Sequence, residues 1–263
     1  MNLKCTTIFL ILIHLVLGQK NKNQHFICSQ TKSSSRSFDK ISSLTDDQSK
    51  IDITYYQIDF EIDFNNEQIF GSVLANGFVG MDQPEFLEFD FSDEMIVDSV
   101  LLNDQVSNFE HVNDLIKIPT QLSIPEGYNF SCKIFYHGNP PTSGFGSYNF
   151  DTHNNIHHVW TLSEPYGARD WWPCKDDPSD KADSVDIIIT VPAEQIVVSN
   201  GILKEELDVS GGKKKYHWAE RYPICTYLVA ISTYPYTFWS DYYVGMNGDT
   251  LPLEYYVYPD HYD

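Results

Sequence analysis

The sequence is short of positive charge. Lys and Arg number 17 against 37 Asp and Glu, a formal net charge of −20 over 263 residues. A chain with no basic footprint is not built to track a phosphate backbone or to lie on an anionic bilayer, so nucleic acid and membrane surfaces are set aside as partners. No CxxC or CxxH pair occurs among the five cysteines, which argues against a structural zinc site. No apolar run is long enough to span a bilayer. Neither an internal repeat nor a helical pattern of three turns is present.

What remains is a strand-forming composition. Hydrophobic residues make up 42% and aromatics 14%, with 17 Tyr and 16 Phe, enough for a packed core and biased toward strands. The acidic balance favours cationic ligands, such as a peptide with a free amino terminus. Residues 1–18 read as a signal peptide: Lys4 gives a positive start, Ile8 to Leu17 is apolar except for His14, and Val16 and Gly18 suit cleavage after Gly18. This predicts a secreted or periplasmic protein with no membrane span once the signal is removed. Residues 19–50 are polar and poor in aromatics, which predicts a flexible leader. Loss of Cys5 with the signal leaves Cys28, Cys132, Cys174 and Cys225, an even number that permits disulfides without choosing a pairing. Asn129-Phe130-Ser131 is a glycosylation sequon in a eukaryotic setting.

From Ile51 the periodicity is two. Ile58, Phe60, Ile62 and Phe64 alternate with Asp59, Glu61 and Asp63, Asn65-Asn66 marks a turn, and Ile69 to Val79 returns. Leu87 to Phe91, Val97 to Leu102, Val106 to Phe109, Ile116 to Ile118 and Phe130 to Tyr136 continue the series of short strands. Such spacing predicts an all-β fold, an antiparallel β-sandwich or curved sheet rather than parallel units. Further on, Val185 to Val191 is a strand, Asn200-Gly201 has hairpin-turn chemistry, and Gly211-Gly212 joins a second hairpin. Lys213-Lys214-Lys215 reads as a solvated edge that blunts pairing. Ile224 to Thr233 is apolar enough for a central strand, and Leu251 to Tyr258 is the last one. His153, His157 and His158 are the only histidine cluster. One strand would hold the first two about 13 Å apart, at ~3.3 Å per residue, so no metal site is assigned.

Trp160 to Asp186 (WTLSEPYGARDWWPCKDDPSDKADSVD) breaks the pattern. Pro165, Pro173 and Pro178 each remove a donor and fix φ, so no regular ladder runs through its centre. This stretch resembles the signature of the aminopeptidase N family of zinc aminopeptidases, Q-x-E-P-x-x-A-R-x-x-F-P-C-x-D-E-P-x-x-K-A. Glu164, Pro165, Ala168, Arg169, Pro173, Cys174, Asp176, Pro178, Lys181 and Ala182 match at unbroken spacing. Val198-Ser199-Asn200-Gly201 and Tyr222 to Ala230 resemble two further family segments.

The resemblance implies the saddle-like N-terminal β-domain of such an enzyme over residues 51–246. It implies that residues 247–263 begin a missing catalytic domain. It gives Glu164 the role of anchoring the free amino terminus of a peptide, and it implies a cis Glu164-Pro165 bond. Pro165, Arg169, Asp176 and Lys181 shape the loop, the charged ones with Asp177 in an ion network. Two departures stand out. Leu162 replaces the family's Gln, and no His-Glu dipeptide, hence no H-E-x-x-H zinc motif, occurs. The chain is therefore expected to carry no catalytic residue and no metal, with zinc belonging to the full-length family enzyme and the catalytic domain acting as partner. A secreted, non-catalytic β-domain that binds peptides or proteins is the alternative.

Overall fold

The computed structural model describes residues 44–120 and 127–262. The expected signal peptide and most of the expected leader lie outside these residues, as do Cys5 and Cys28. In chain order the strands are β1 (Ile51–Asp63), β2 (Gln68–Val79), β3 (Phe86–Asp90), β4 (Ile96–Leu102), β5 (Gln105–Ser107), β6 (Glu110–Val112), β7 (Leu115–Pro119), β8 (Asn129–Gly138), β9 (Ser147–His153), β10 (Ile156–Leu162), β11 (Ser184–Pro192), β12 (Ile196–Ser199), β13 (Ile202–Val209), β14 (Lys213–Glu220), β15 (Ile231–Tyr234), β16 (Thr237–Val244) and β17 (Thr250–Val257). Only short 3-10 turns interrupt them among the described residues.

The alternation in β1 does what period two requires. Ile58, Phe60 and Ile62 are buried while Asp59, Glu61 and Asp63 face outward. The same inner face continues through Val73 and Ala75 of β2, Cys132, Ile134 and Tyr136 of β8, and Ile187 and Ile189 of β11. These strands belong to one eight-stranded sheet in the order β13-β14-β11-β1-β2-β8-β4-β5. A four-stranded sheet (β12-β15-β10-β9), a three-stranded sheet (β3-β7-β6) and the β16-β17 pair complete the fold. Aromatic rings tie the layers together. Phe60 lies 5.9 Å from Trp171, Tyr56 4.9 Å from Trp172, Phe91 5.1 Å from Tyr136 and Phe64 6.5 Å from Phe150, between ring centroids.

The all-β expectation holds, with several amendments. One pair, β1 with β11, is parallel, in register from Tyr55↔Ser184 to Glu61↔Thr190. The connection is long enough for this, because the chain passes through the four-stranded sheet and the Pro-rich loop before returning. Asn200-Gly201 is not a hairpin turn. β12 pairs with β15, whereas β13 pairs with β14 in the other sheet, so the dipeptide is where the chain changes sheets. Asn200 stabilises this corner, donating to the Leu228 carbonyl at 3.0 Å and accepting from the Ala230 amide at 2.7 Å.

Lys213 to Lys215 do not form an edge. β14 is paired on both sides, with β13 and β11; Lys214 meets Glu206 on β13, and Lys213 and Lys215 reach Glu61 and Asp59 on β1, one strand beyond β11. The segment from Ile224 is only partly strand: Thr226–Leu228 is a 3-10 turn, and β15 begins at Ile231. His153 and His157 do not share a strand, because Asn154 and Asn155 (φ 49° and 62°) turn the chain back between them. Residues 44–50, which composition places in a leader, are held against the fold. Gln48 is buried and donates to Asp90 at 2.9 Å, Thr45 donates to Glu88, and Asp47 accepts the Glu85 and Phe86 amides at 3.1 and 3.0 Å. β16 and β17 pair from Thr237↔Val257 to Val244↔Thr250, across the boundary expected after Met246.

Two predictions follow from this architecture. Gly201 has φ +82°, and a Cβ there would stand 2.2 Å from the Ala219 carbonyl oxygen. Since backbone must move, Gly201→Ala should cost about 1–3 kcal/mol, read as a lower urea midpoint at unchanged m; an unmoved midpoint would contradict the corner as described. The second concerns Asp186, which accepts from Tyr55 at 2.6 Å, Arg221 at 2.7 Å and His217 at 2.8 Å. Burial pushes its carboxyl up, but these donors prevail and hold it below the ordinary 3.8. A depressed carboxyl contributes stability above its unfolded value and loses it as pH falls through the folded one. The stability gap between the parent and Asp186→Asn should therefore be full at pH 6 and shrink below about pH 4. A gap that widens with acid would overturn the assignment.

Candidate functional site

The loop from Ser163 to Asp183 joins β10 to β11, and its prolines keep it out of either sheet. It is nevertheless fixed. Trp171 and Trp172 are fully buried, and Trp171 donates its indole N–H to Ser163 Oγ at 3.1 Å. Cys174 and Asp90 exchange backbone hydrogen bonds at 2.7 and 3.1 Å, which seats the loop on β3. Burial pushes the Cys174 thiol well up, so this cysteine is packing and not a nucleophile. Cys132, Cys174 and Cys225 are all free and buried.

Charge organises the centre of the loop. Arg169 lies between two buried carboxylates, 3.0 Å from Asp90 Oδ1 and 3.0 Å from Asp176 Oδ2. Asp90 also accepts the Asp176 amide at 2.9 Å, and Thr226 donates to Asp176 Oδ1 at 2.8 Å. Burial raises the Asp176 carboxyl against the pull of Arg169. The guanidinium is itself raised, burial opposing and Asp90 and Asp176 prevailing. Beside it Lys175 is buried, pairs with Asp180 at 2.5 Å and donates to the Ile51 carbonyl at 2.7 Å.

The residues named from sequence fall into two groups here. Arg169 and Asp176 stand together in this cluster. Lys181 is exposed and outside it, and Asp177 caps its own turn by accepting the Ser179 amide at 2.7 Å. Sequence reasoning misses Asp90, Gln48 and Thr226, which come from strands or turns far away in the chain, and Lys175, which sits within the loop; the alternation along β3 would turn Asp90 outward, whereas it is buried.

Glu164 precedes this cluster and is half-buried, with a cis bond to Pro165. Its Oε2 atom is buried and has no hydrogen-bond partner. Tyr227 lies close enough that its phenol is raised by burial, then by Cys225 and by the Glu164 carboxyl. The loop after β8 also comes alongside, with the place of a Gly144 Cβ 3.4 Å from the Glu164 carbonyl oxygen. Leu162, where the resemblance has Gln, is 41% exposed at the end of β10. A buried carboxylate oxygen without a donor is costly, and it is suited to receive an N–H donor from outside. Among the described residues no three His, Cys, Asp or Glu are grouped to hold a metal.

Comparison with known proteins agrees with this loop and fold. Residues 52–228 match the Peptidase M1 N-terminal domain. The chain belongs to that family. A curated Caenorhabditis elegans protein, "Putative aminopeptidase-2", is 28% identical over 139 residues, 51% of this chain and 7% of that protein. An M1 zinc metallopeptidase from Deinococcus radiodurans, solved with a Tyr-Ser-Ala substrate, superposes with a TM-score of 0.69 at 20% identity, over 79% of this chain and 48% of its own. Legionella pneumophila aminopeptidase A, solved with aspartic acid, gives 0.70 at 18%, over 81% and 25%. At such identities the structures show the shared fold, and the chain spans less than half the length of these relatives.

In this M1 N-terminal domain the Arg169 cluster makes single changes costly, because it pairs buried charges. Removing the guanidinium leaves Asp90 and Asp176 buried without their countercharge. Arg169→Ala should therefore cost roughly 3–5 kcal/mol at pH 7. Burial already raises the Asp176 carboxyl, so its protonation would relieve the charge left unpaired and the deficit should narrow at pH 5. Chemical denaturation at both pH values checks this, and an equal deficit at the two would contradict it.

Proposed function

We propose that this chain is the substrate-amine-recognising domain of an exported zinc metallo-aminopeptidase, which removes N-terminal residues from peptides. The observation that carries the reading is the unpartnered, buried Oε2 of Glu164. An ammonium group supplies what that oxygen lacks, a charged donor, and such a bond contributes roughly 1.5–3 kcal/mol. Holding the amine at one place fixes the distance to the first peptide bond, which makes the activity exopeptidic. The acidic surface, with a net charge of −20, assists by drawing in cationic peptide ends.

On this reading the zinc belongs to a catalytic domain that begins with residues 247–263, because no H-E-x-x-H occurs in this sequence. When bound there it supplies Lewis-acid chemistry for hydrolysis. This chain's own part is positioning: Glu164 accepts the amine, Pro165 and the Arg169 cluster hold the loop that presents it, and Leu162 borders the site. By itself the chain is inactive.

The test has two arms. The chain alone should not cleave an aminoacyl nitroanilide, with or without added zinc. In a protein that carries both this chain and the catalytic domain, Glu164→Gln should lower kcat/KM by about 10- to 100-fold. An N-acetylated peptide should be a poor substrate for parent and variant alike. Equal kcat/KM in parent and variant would contradict the anchor role, and a binding domain without peptidase function would become the better account.

A further inference from the structure

The sequon at Asn129-Phe130-Ser131 lies at the start of β8. Period two sends Phe130 into the core, where it is 2% exposed, and turns Asn129 to the outer face of the sheet. Asn129 is exposed, and its amide makes no hydrogen bond among the described residues. Its backbone is paired with Phe78 of β2, so the side chain is displayed from a fixed strand. The chain before it is also open: Tyr128 is 57% exposed, and a Cβ at Gly127 would meet nothing within 4 Å. Ser131 is held by Asn103, which accepts the Ser131 amide at 2.9 Å.

We propose that Asn129 is an N-glycosylation site, with a polyprenyl-diphosphate-linked oligosaccharide as the donor. The Asn129 amide nitrogen attacks the anomeric carbon of the first sugar and loses a proton. The bond from that carbon to the diphosphate oxygen breaks, the lipid diphosphate leaves, and an N-glycosidic bond forms with no change of oxidation state. Ser131 supplies the hydroxyl the sequon requires. The finished fold accommodates the product, because a glycan on an outward strand residue costs no core packing.

The site also keeps clear of Glu164. β8 runs from Asn129 to Gly138, about 30 Å at ~3.3 Å per residue, and the loop that approaches Glu164 follows its far end. The glycan therefore marks the sheet end remote from amine recognition and adds a solubilising group where Phe78 and Tyr128 are exposed.

The proposal rests on the export reading, and the experiment separates the two. The full chain is produced in a eukaryotic secretory host in two forms, one with its own residues 1–18 and one with an established leader in their place. Peptide N-glycosidase treatment of the leader-bearing form should remove one glycan step on a gel and convert Asn129 to Asp in the peptide mass spectrum. Asn129→Gln and Ser131→Ala should each abolish the step; the second variant leaves Asn129 in place, so a folding defect at the asparagine is not mistaken for loss of the site. A secreted chain with no step, or a step that survives both variants, overturns the proposal. Failure of only the native-leader form to leave the cell overturns the export reading, and with it the modification in the native protein, while the leader-bearing form still reports whether Asn129 is an acceptor.

Discussion

One arginine side chain holds the proline-rich loop of this fold to its sheets. Arg169 joins Asp90 on β3 to Asp176 within the loop, Gln48 reaches Asp90 from the segment before β1, and Thr226 reaches Asp176 from the turn before β15. Four parts of the chain that are far apart in sequence thus share one charge cluster. Buried charges of this kind give little net stability over an apolar core, but losing one partner is expensive. The cluster therefore specifies a single loop conformation more than it adds stability.

A loop rich in proline and charge cannot bury its backbone in a ladder, so it needs such a clamp. The tryptophan pair beneath it and the Cys174-Asp90 bridge supply the rest. With the loop rigid, Glu164 at its start can keep a carboxylate oxygen buried and unmatched. An unmatched acceptor survives only where the surroundings over-determine it. That is the physical link between the arginine clamp and the proposed recognition of an amino terminus.

Much of the fold was legible because period two is a local signal. Ile58, Phe60 and Ile62 point inward as their alternation with acids requires, and so do Cys132, Ile134 and Tyr136. The failures came where local chemistry is silent about partners. Asn200-Gly201 turns the chain, but nothing near it tells that β12 and β13 enter different sheets. The lysines of β14 read as an edge because their carboxylate partners lie on other strands. In the site, spacing alone marked the Pro-rich loop and the resemblance gave Glu164, Arg169 and Asp176, whereas Asp90, Gln48 and Thr226 join it only through tertiary contact. Lys181 matches the signature yet lies exposed.

The most direct test of the central claim is a crystal structure of this chain joined to its catalytic domain, with a bound amino acid or short peptide. The account predicts the ligand's ammonium nitrogen about 2.7–2.9 Å from the Glu164 carboxylate, with Arg169 still between Asp90 and Asp176. A ligand amine held elsewhere, with Glu164 turned onto a donor of the protein, would contradict it.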